Sequence, residues 1–371
     1  MSRRARAAIA AALFVAASAM AAIMATHQGI ARDEVVYIRY GRGYATWWRD
    51  LVTTGEGMNE RAITAHFGGP HATDNNREHP PLMKTLFGIS ELVLADGLGW
   101  TSRVFAARLP TALMFGALVA LVFLFAAPIW GDRAGLVAAG LTLFLPRLVF
   151  HAQLAAFDAA VATLWIAVLV AYYHSLRSRR WCIVLGVTFG LALATKHNAL
   201  MLPAVILAHM GLCALRDAVH HRRAGAPSFA ALWRGLTAFR PLPLLAMAIL
   251  GPLILFALWP WLWLDPIGHA SAWIGFHLHH VHYNFEYLGK NWNAPPYPWH
   301  EPVVTALFTI PVVTMALAGL GVAAGASDAW RDKARDGERA PLLLLVLSAT
   351  VAMGPFLVPF LGTPIFGAGK H

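Results

Sequence analysis

The chain has 371 residues, of which 58% are hydrophobic and only 13% charged, and its mean hydropathy is +0.56. A charged share about half that of an ordinary soluble domain excludes a disordered chain, a disulfide-stapled secreted module and a typical cytosolic enzyme, and leaves an integral membrane protein. The net charge of +10 speaks for orientation in a bilayer rather than for nucleic acid, because the arginines sit in short segments between apolar runs.

A membrane helix needs about 20 mostly apolar residues to cross ~30 Å of hydrocarbon. In chain order, nine stretches are candidates: 8–25, 105–127, 134–150, 157–175, 181–196, 198–215, 241–263, 302–324 and 341–361. The first follows Arg3, Arg4 and Arg6 and leads into small residues, so a cleaved signal peptide is an alternative to a retained anchor; the anchor is preferred here. The two cysteines, Cys182 and Cys213, lie inside apolar runs and read as small core residues.

Lysine and arginine set the orientation. With the N-terminus in the cytoplasm, Arg133, Arg177, Arg179, Arg180, Arg216, Arg222, Arg223, Arg234, Arg240, Arg331, Lys333, Arg335 and Arg339 all fall inside, while the short outer connections hold only Arg147, Lys196 and Lys290. Residues 27–104 then form one outer loop domain with juxtamembrane helices. Within it, 82–98 carries Lys84, Glu91 and Asp96, and its apolar residues Leu82, Leu86, Ile89 and Val93 recur at helical spacing. This predicts an amphipathic helix on the outer surface rather than a span.

In this topology the ionisable residues near membrane depth gather on the outer side: Asp33 and Glu34 after the first span, His151 and Asp158 about one turn, and Lys196 and His197 about another. Charges at such depth commonly line a cavity. The Asp33–Glu34 pair is the candidate catalytic feature, since a carboxylate beside another near low dielectric becomes a better base toward a hydroxyl. In Asn76-Arg77-Glu78-His79-Pro80-Pro81-Leu82-Met83-Lys84, two prolines fix an extended turn. Arg77, His79 and Lys84 around it suit an anionic group such as a phosphate.

A later segment, 264–301, is rich in histidine and aromatics. Trp259-Pro260-Trp261-Leu262-Trp263 reads as rings at headgroup level, and His277, His280, His282 and Tyr283 as acceptor- or sugar-binding groups. A divalent cation there is an open alternative, although spacing alone shows no converging ligand set, and no metal ligand is assigned.

Taken in order, several of these pieces resemble one family. They are Asp33-Glu34 after the first span, Glu78-His79-Pro80-Pro81-Leu82, Ala107-Arg108-Leu109-Pro110, Gly131-Asp132-Arg133-Ala134-Gly135, Ala156-Phe157-Asp158, Gly190-Leu191-Ala192-Leu193-Ala194-Thr195-Lys196, and Thr363-Pro364-Ile365-Phe366-Gly367. The chain is similar to polytopic GT-C class glycosyltransferases, within the superfamily of protein O-mannosyltransferases and aminoarabinose transferases. The resemblance implies an all-α membrane helix bundle and transfer of a hexose or pentose, with inversion, from a polyprenyl-phosphate donor to an acceptor hydroxyl on protein, lipid or glycan. It implies Asp33 as general base, Glu34 as its orienting neighbour and Asp158 as a second acidic group, with Arg77, His79, Lys84 and Lys196 at the donor phosphate. It implies no required cofactor.

The expected organisation is an anchor at 1–26, the outer loop at 27–104, a bundle at 105–263, the outer segment at 264–301 and C-terminal helices at 302–371, where the family usually continues further. The high Ala, Gly and Arg usage suggests a GC-rich bacterium, hence the inner membrane with a site facing the periplasm. The competing reading is a transporter or flippase, which predicts mid-membrane polar residues on broken helices and inverted repeats. A structural subunit would leave the acidic pair and the His-Pro-Pro turn unexplained.

Overall fold

The computed structural model describes residues 1–69, 76–225, 227–230, 241–279, 285–293, 298 and 300–330. These described residues are helical apart from one small hairpin, whose strands β1 (Phe285–Tyr287) and β2 (Lys290–Trp292) pair antiparallel with Glu286 opposite Asn291.

The first helix, α1 (Arg3–Ala25), starts where the Ser2 side chain accepts from the Ala5 amide, leaving one fewer bare donor at its end. It lies along α5 (Arg103–Trp130), which Ser102 caps in the same way. Their contact is close because Gly116 faces Ser18 and Phe14, where a Cβ would fall 2.0 Å from the Ser18 hydroxyl. Small residues let membrane helices approach in this way when hydrophobic burial offers little drive. Gly131, with φ of +96°, turns the chain into α6 (Asp132–Leu143), and α7 (Pro146–Ala152) follows at a 64° bend, opened by Pro146. Next come α8 (Asp158–Ser175), α9 (Arg180–Leu193), a short 3₁₀ turn (His197–Met201) and α10 (Leu202–Arg223). After these follow α11 (Leu242–Leu258), α12 (Trp261–Leu264), α13 (Pro266–Leu278), α14 (Glu301–Thr309) and α15 (Val312–Trp330). Gly186 and Gly190 seat α9 on Leu250 and Ile254 of α11, while Gly251 receives Phe189.

Among the described residues, α1, α5, α8 and the stretch His197–Leu215 are long and apolar enough to cross a membrane, and the bent α6–α7 pair makes up to five crossings. The stretches expected at 181–196 and 241–263 fold as the shorter apolar helices α9 and α11, and 302–324 is broken between α14 and α15 at Ile310 and Pro311. The expected span 341–361 lies outside the described residues.

Residues 27–104 are mostly helix rather than loop. They hold α2 (Arg32–Thr54), α3 (Glu60–Phe67) and α4 (Leu82–Ser90), which runs on as a π-helical turn, Glu91–Gly97. Helix α2 escapes a search for apolar runs because it is amphipathic: it buries Glu34, Tyr37, Gly41, Tyr44, Ala45 and Trp47 and leaves Arg32, Val35 and Arg39 outward. Helix α4 forms where expected, with the side away from Ile89 and Val93 turned inward. Met83, Lys84, Phe87, Gly88 and Glu91 are buried; of the apolar stripe, Leu82 and Leu86 are half-buried against the core and Ile89 and Val93 are exposed. The reason is steric: α2 and α4 cross backbone on backbone, and a Cβ on Gly88 would fall 2.1 Å from the Gly41 carbonyl oxygen. Trp259 and Trp261, expected at the headgroup level, are buried in the main core with Trp47, Phe67 and Trp273.

Candidate active site

The ends of several helices meet at one end of the bundle. Here α1 ends, α2, α4 and α8 begin, and α9 gives way to the 3₁₀ turn. The centre of this junction is Arg108, in the second turn of α5. All five of its N–H donors are used: Nε and one terminal nitrogen on the two carboxylate oxygens of Glu34, both at 2.8 Å, and the remainder on the carbonyls of Ala25, Gln28 and Gly29. Glu34 also accepts from the amides of Ala31 (2.9 Å) and Ala155 (2.7 Å). Burial pushes the Glu34 carboxyl up, but the Arg108 hydrogen bonds and the two amides outweigh it and hold the pKa below the ordinary carboxylate value. Glu34 therefore ties three elements together, and its oxygens are already taken.

Asp33, its neighbour, is half-buried and faces a different way. One turn on, Tyr37 is buried between Phe157 (ring centroids 4.1 Å apart) and His79 (5.8 Å, edge to face). The Tyr37 phenol has its pKa raised, first by burial and then by the charges of Asp33, Asp158 and Glu78. Three carboxylates, one on its own helix and two from segments distant in sequence, thus act on one tyrosine.

Asp158, the first residue of α8, accepts from the Lys196 ammonium at 3.0 Å and lies 3.5 Å from Nδ1 of His151. Lys196 is brought there because α4 docks on the end of α9: the Leu82 amide donates to the Ala194 carbonyl at 2.9 Å, which places the His-Pro-Pro turn beside Thr195 and Lys196. His79 sits over Phe157 (5.2 Å) and 6.4 Å from the His277 ring. Its imidazole is held well below the ordinary histidine pKa, by burial first and then by Lys84, Lys196, His197 and His277. At neutral pH it is an uncharged ring, suited to hydrogen bonding rather than to charge pairing.

Of the residues expected at a phosphate, Lys196 and His79 reach this rim and two others sit behind it. Arg77 is 1% exposed, its guanidinium 4.2 Å above the Trp261 ring, where it joins the turn to α12. Lys84 is 0% exposed, held by Asn76 and Tyr44. Burial lowers its pKa, with Glu78 opposing. On the far side, α13 closes the rim. Trp273 Nε1 (3.1 Å) and His277 Nε2 (2.9 Å) both donate to the Glu78 carbonyl, and the His277 ring stacks on His197 at 3.6 Å. Burial raises the Glu78 carboxyl pKa, against its own amide, Lys84, Asn76 and Arg77. His280, His282 and Tyr283 lie outside the described residues. Among the described residues, no three His, Cys, Asp or Glu side chains gather as metal ligands would.

Tyr37, Arg108 and the stacking role of His197 are the site residues that the sequence reading missed. Tyr37 becomes visible once α2 is taken as a helix, one turn after Asp33 on the inward face. Arg108 had a signal of its own, as a charge inside an apolar run.

Residues 78–241 match the model of the family described as dolichyl-phosphate-mannose-protein mannosyltransferase. The match begins at Glu78 of the rim and takes in Arg108, Asp158 and Lys196. Over that part the chain is similar to this family, and its bundle of long apolar helices is consistent with a polytopic, GT-C-like membrane fold of glycosyltransferase type. A comparison with curated proteins gave no match.

Proposed function

We propose that the chain is a membrane glycosyltransferase that moves a hexose or pentose from a polyprenyl-phosphate carrier to an acceptor hydroxyl, with inversion at the anomeric carbon. The observation that carries this reading is the meeting of Asp33, Tyr37, His79, Asp158 and Lys196 at one end of the bundle, from segments far apart in sequence. The family match over 78–241 supports the class of donor.

In this reaction the acceptor oxygen attacks the anomeric carbon, the glycosyl–phosphate bond breaks, and the electron pair leaves with the lipid phosphate. Asp33 takes the acceptor proton, a half-buried carboxylate beside low-dielectric surroundings. The Lys196 ammonium stabilises charge developing on the departing phosphate, and Asp158 keeps that ammonium aimed. His79, neutral, donates or accepts a hydrogen bond at the same rim. Glu34, pinned by Arg108, fixes the start of α2 and with it the neighbouring Asp33, rather than joining the chemistry. The active face is the outer, periplasmic one of a bacterial inner membrane, by the distribution of lysine and arginine.

The test is transfer in detergent from a panel of labelled polyprenyl-phosphate sugars, together with identification of any lipid phosphate that co-purifies. Asp33→Asn is expected to remove transfer by a factor of about 10³ or more while the protein elutes and melts as before. A folded Asp33→Asn protein that transfers at the original rate overturns the assignment of the base.

A further inference from the structure

Lys84 is a buried cation on α4 that the reaction above does not use. An ammonium has three donors and no acceptor, and here three acceptors surround it: the Asn76 carbonyl at 2.5 Å, the Asn76 side-chain oxygen at 3.3 Å and the Tyr44 hydroxyl at 3.2 Å. The face of the Tyr44 ring lies 4.8 Å away. With complete burial and every donor engaged, Lys84 has nothing left to offer a lipid phosphate.

Its partners lead back to the rim. Asn76 has φ of +54°, a left-handed conformation that asparagine adopts more readily than most residues. The Asn76 side-chain nitrogen donates to Glu78 Oε1 at 2.6 Å. The Glu78 carbonyl is in turn the seat of α13, through Trp273 and His277. His277 stacks on His197, next in sequence to Lys196. The contacts are therefore continuous from the Lys84 ammonium to both walls of the site.

We infer that Lys84 is a positioning residue: its ammonium locks the Asn76 turn and, through Asn76 and Glu78, sets the seat on which α13 closes over the transferred sugar, without touching the donor phosphate. This rests on the glycosyl-transfer reading for its kinetic consequence but not for its structural one.

Two variants separate the possibilities. Lys84→Met removes the ammonium. Asn76→Gly keeps the left-handed backbone but deletes the side-chain link to Glu78. Both are expected to lower kcat about tenfold or more while the donor KM stays within about threefold, the pattern of lost alignment rather than lost binding. A donor KM raised about tenfold by Lys84→Met at unchanged kcat makes Lys84 a phosphate ligand and overturns the inference. Amide hydrogen exchange adds a readout that needs no turnover. In both variants, exchange over 76–82 and over 266–279 is expected to rise roughly tenfold, with α1 and α5 unchanged. Unaltered exchange over 266–279 also overturns it. Should Lys84→Met not fold, Asn76→Gly decides by the same two readouts. Should the unmodified protein transfer no sugar, the glycosyl-transfer reading fails, and exchange still decides the role of Lys84.

Discussion

Removing Arg108 should unfasten the end of the bundle where the site is built. In Arg108→Met the Glu34 carboxylate, 1% exposed, loses both of its guanidinium hydrogen bonds, and the carbonyls of Ala25, Gln28 and Gly29 lose their donor. Breaking one partner of a buried ion pair costs about 3–5 kcal/mol, because the remaining charge stays in low dielectric without compensation. Methionine fills much of the arginine stem, so little of that cost comes from a cavity. The assay is reversible unfolding in detergent, with the double variant Glu34→Gln/Arg108→Met beside each single one. The pair is expected to be destabilised by clearly less than the sum of the singles, since the double variant leaves no buried charge. The pH dependence follows from the sign of the Glu34 shift. Its pKa is lower in the fold than in the unfolded chain, so its contribution is present above the ordinary carboxylate pKa and is lost as pH falls through the lowered value. The unfolding midpoint of Arg108→Met should therefore respond less to acid than that of the unmodified protein. An Arg108→Met protein within about 1 kcal/mol of the original, with the same acid response, refutes this account.

Three further outcomes are expected. Lys196→Met leaves Asp158 without its cation at 3.0 Å, and steady-state kinetics should show kcat/KM for sugar transfer down at least about 100-fold, with Lys196→Arg intermediate. Gly88→Val forces apart the crossing of α2 and α4, where a Cβ has 2.1 Å to a carbonyl oxygen; the thermal midpoint should fall by an amount equivalent to about 3 kcal/mol or more, whereas Gly140→Ala, with open space around it, should not. His277→Phe keeps a ring on His197 but removes the donor to Glu78, and transfer should drop about tenfold with donor binding, measured by lipid-phosphate titration, unchanged.

The sequence reading was strongest where one local pattern carries the signal. Apolar length alone located α1, α5 and α8, and the distribution of lysines and arginines led to the expectation that Asp33, Asp158 and Lys196 share one side. It was weakest where a segment must be understood by what it packs on. Helix α2 has too many charges to stand out as an apolar run, and its inward face of Tyr37, Gly41 and Tyr44 means little until α4 is laid against it. For α4 the stripe predicts a helix on the outer surface, and Ile89 and Val93 are exposed, but the inward approach of Gly88 to Gly41 depends on a close fit that spacing alone does not show. Lys84 and Arg77 read naturally as phosphate cations from charge alone. Only the acceptors around Lys84 and the indole beneath Arg77 show that their charges are engaged inside the protein.

The glycine-to-glycine crossing has a consequence for where this end of the bundle can give way. Where main chain rests on main chain, there is no side chain to swing aside, so α2 and α4 travel as a single slab that carries Asp33 on one piece and the His79 turn on the other. The opposite bank is fastened differently, for there α13 is moored to Glu78 by an indole and an imidazole rather than by its backbone, so side-chain rotation alone can release it.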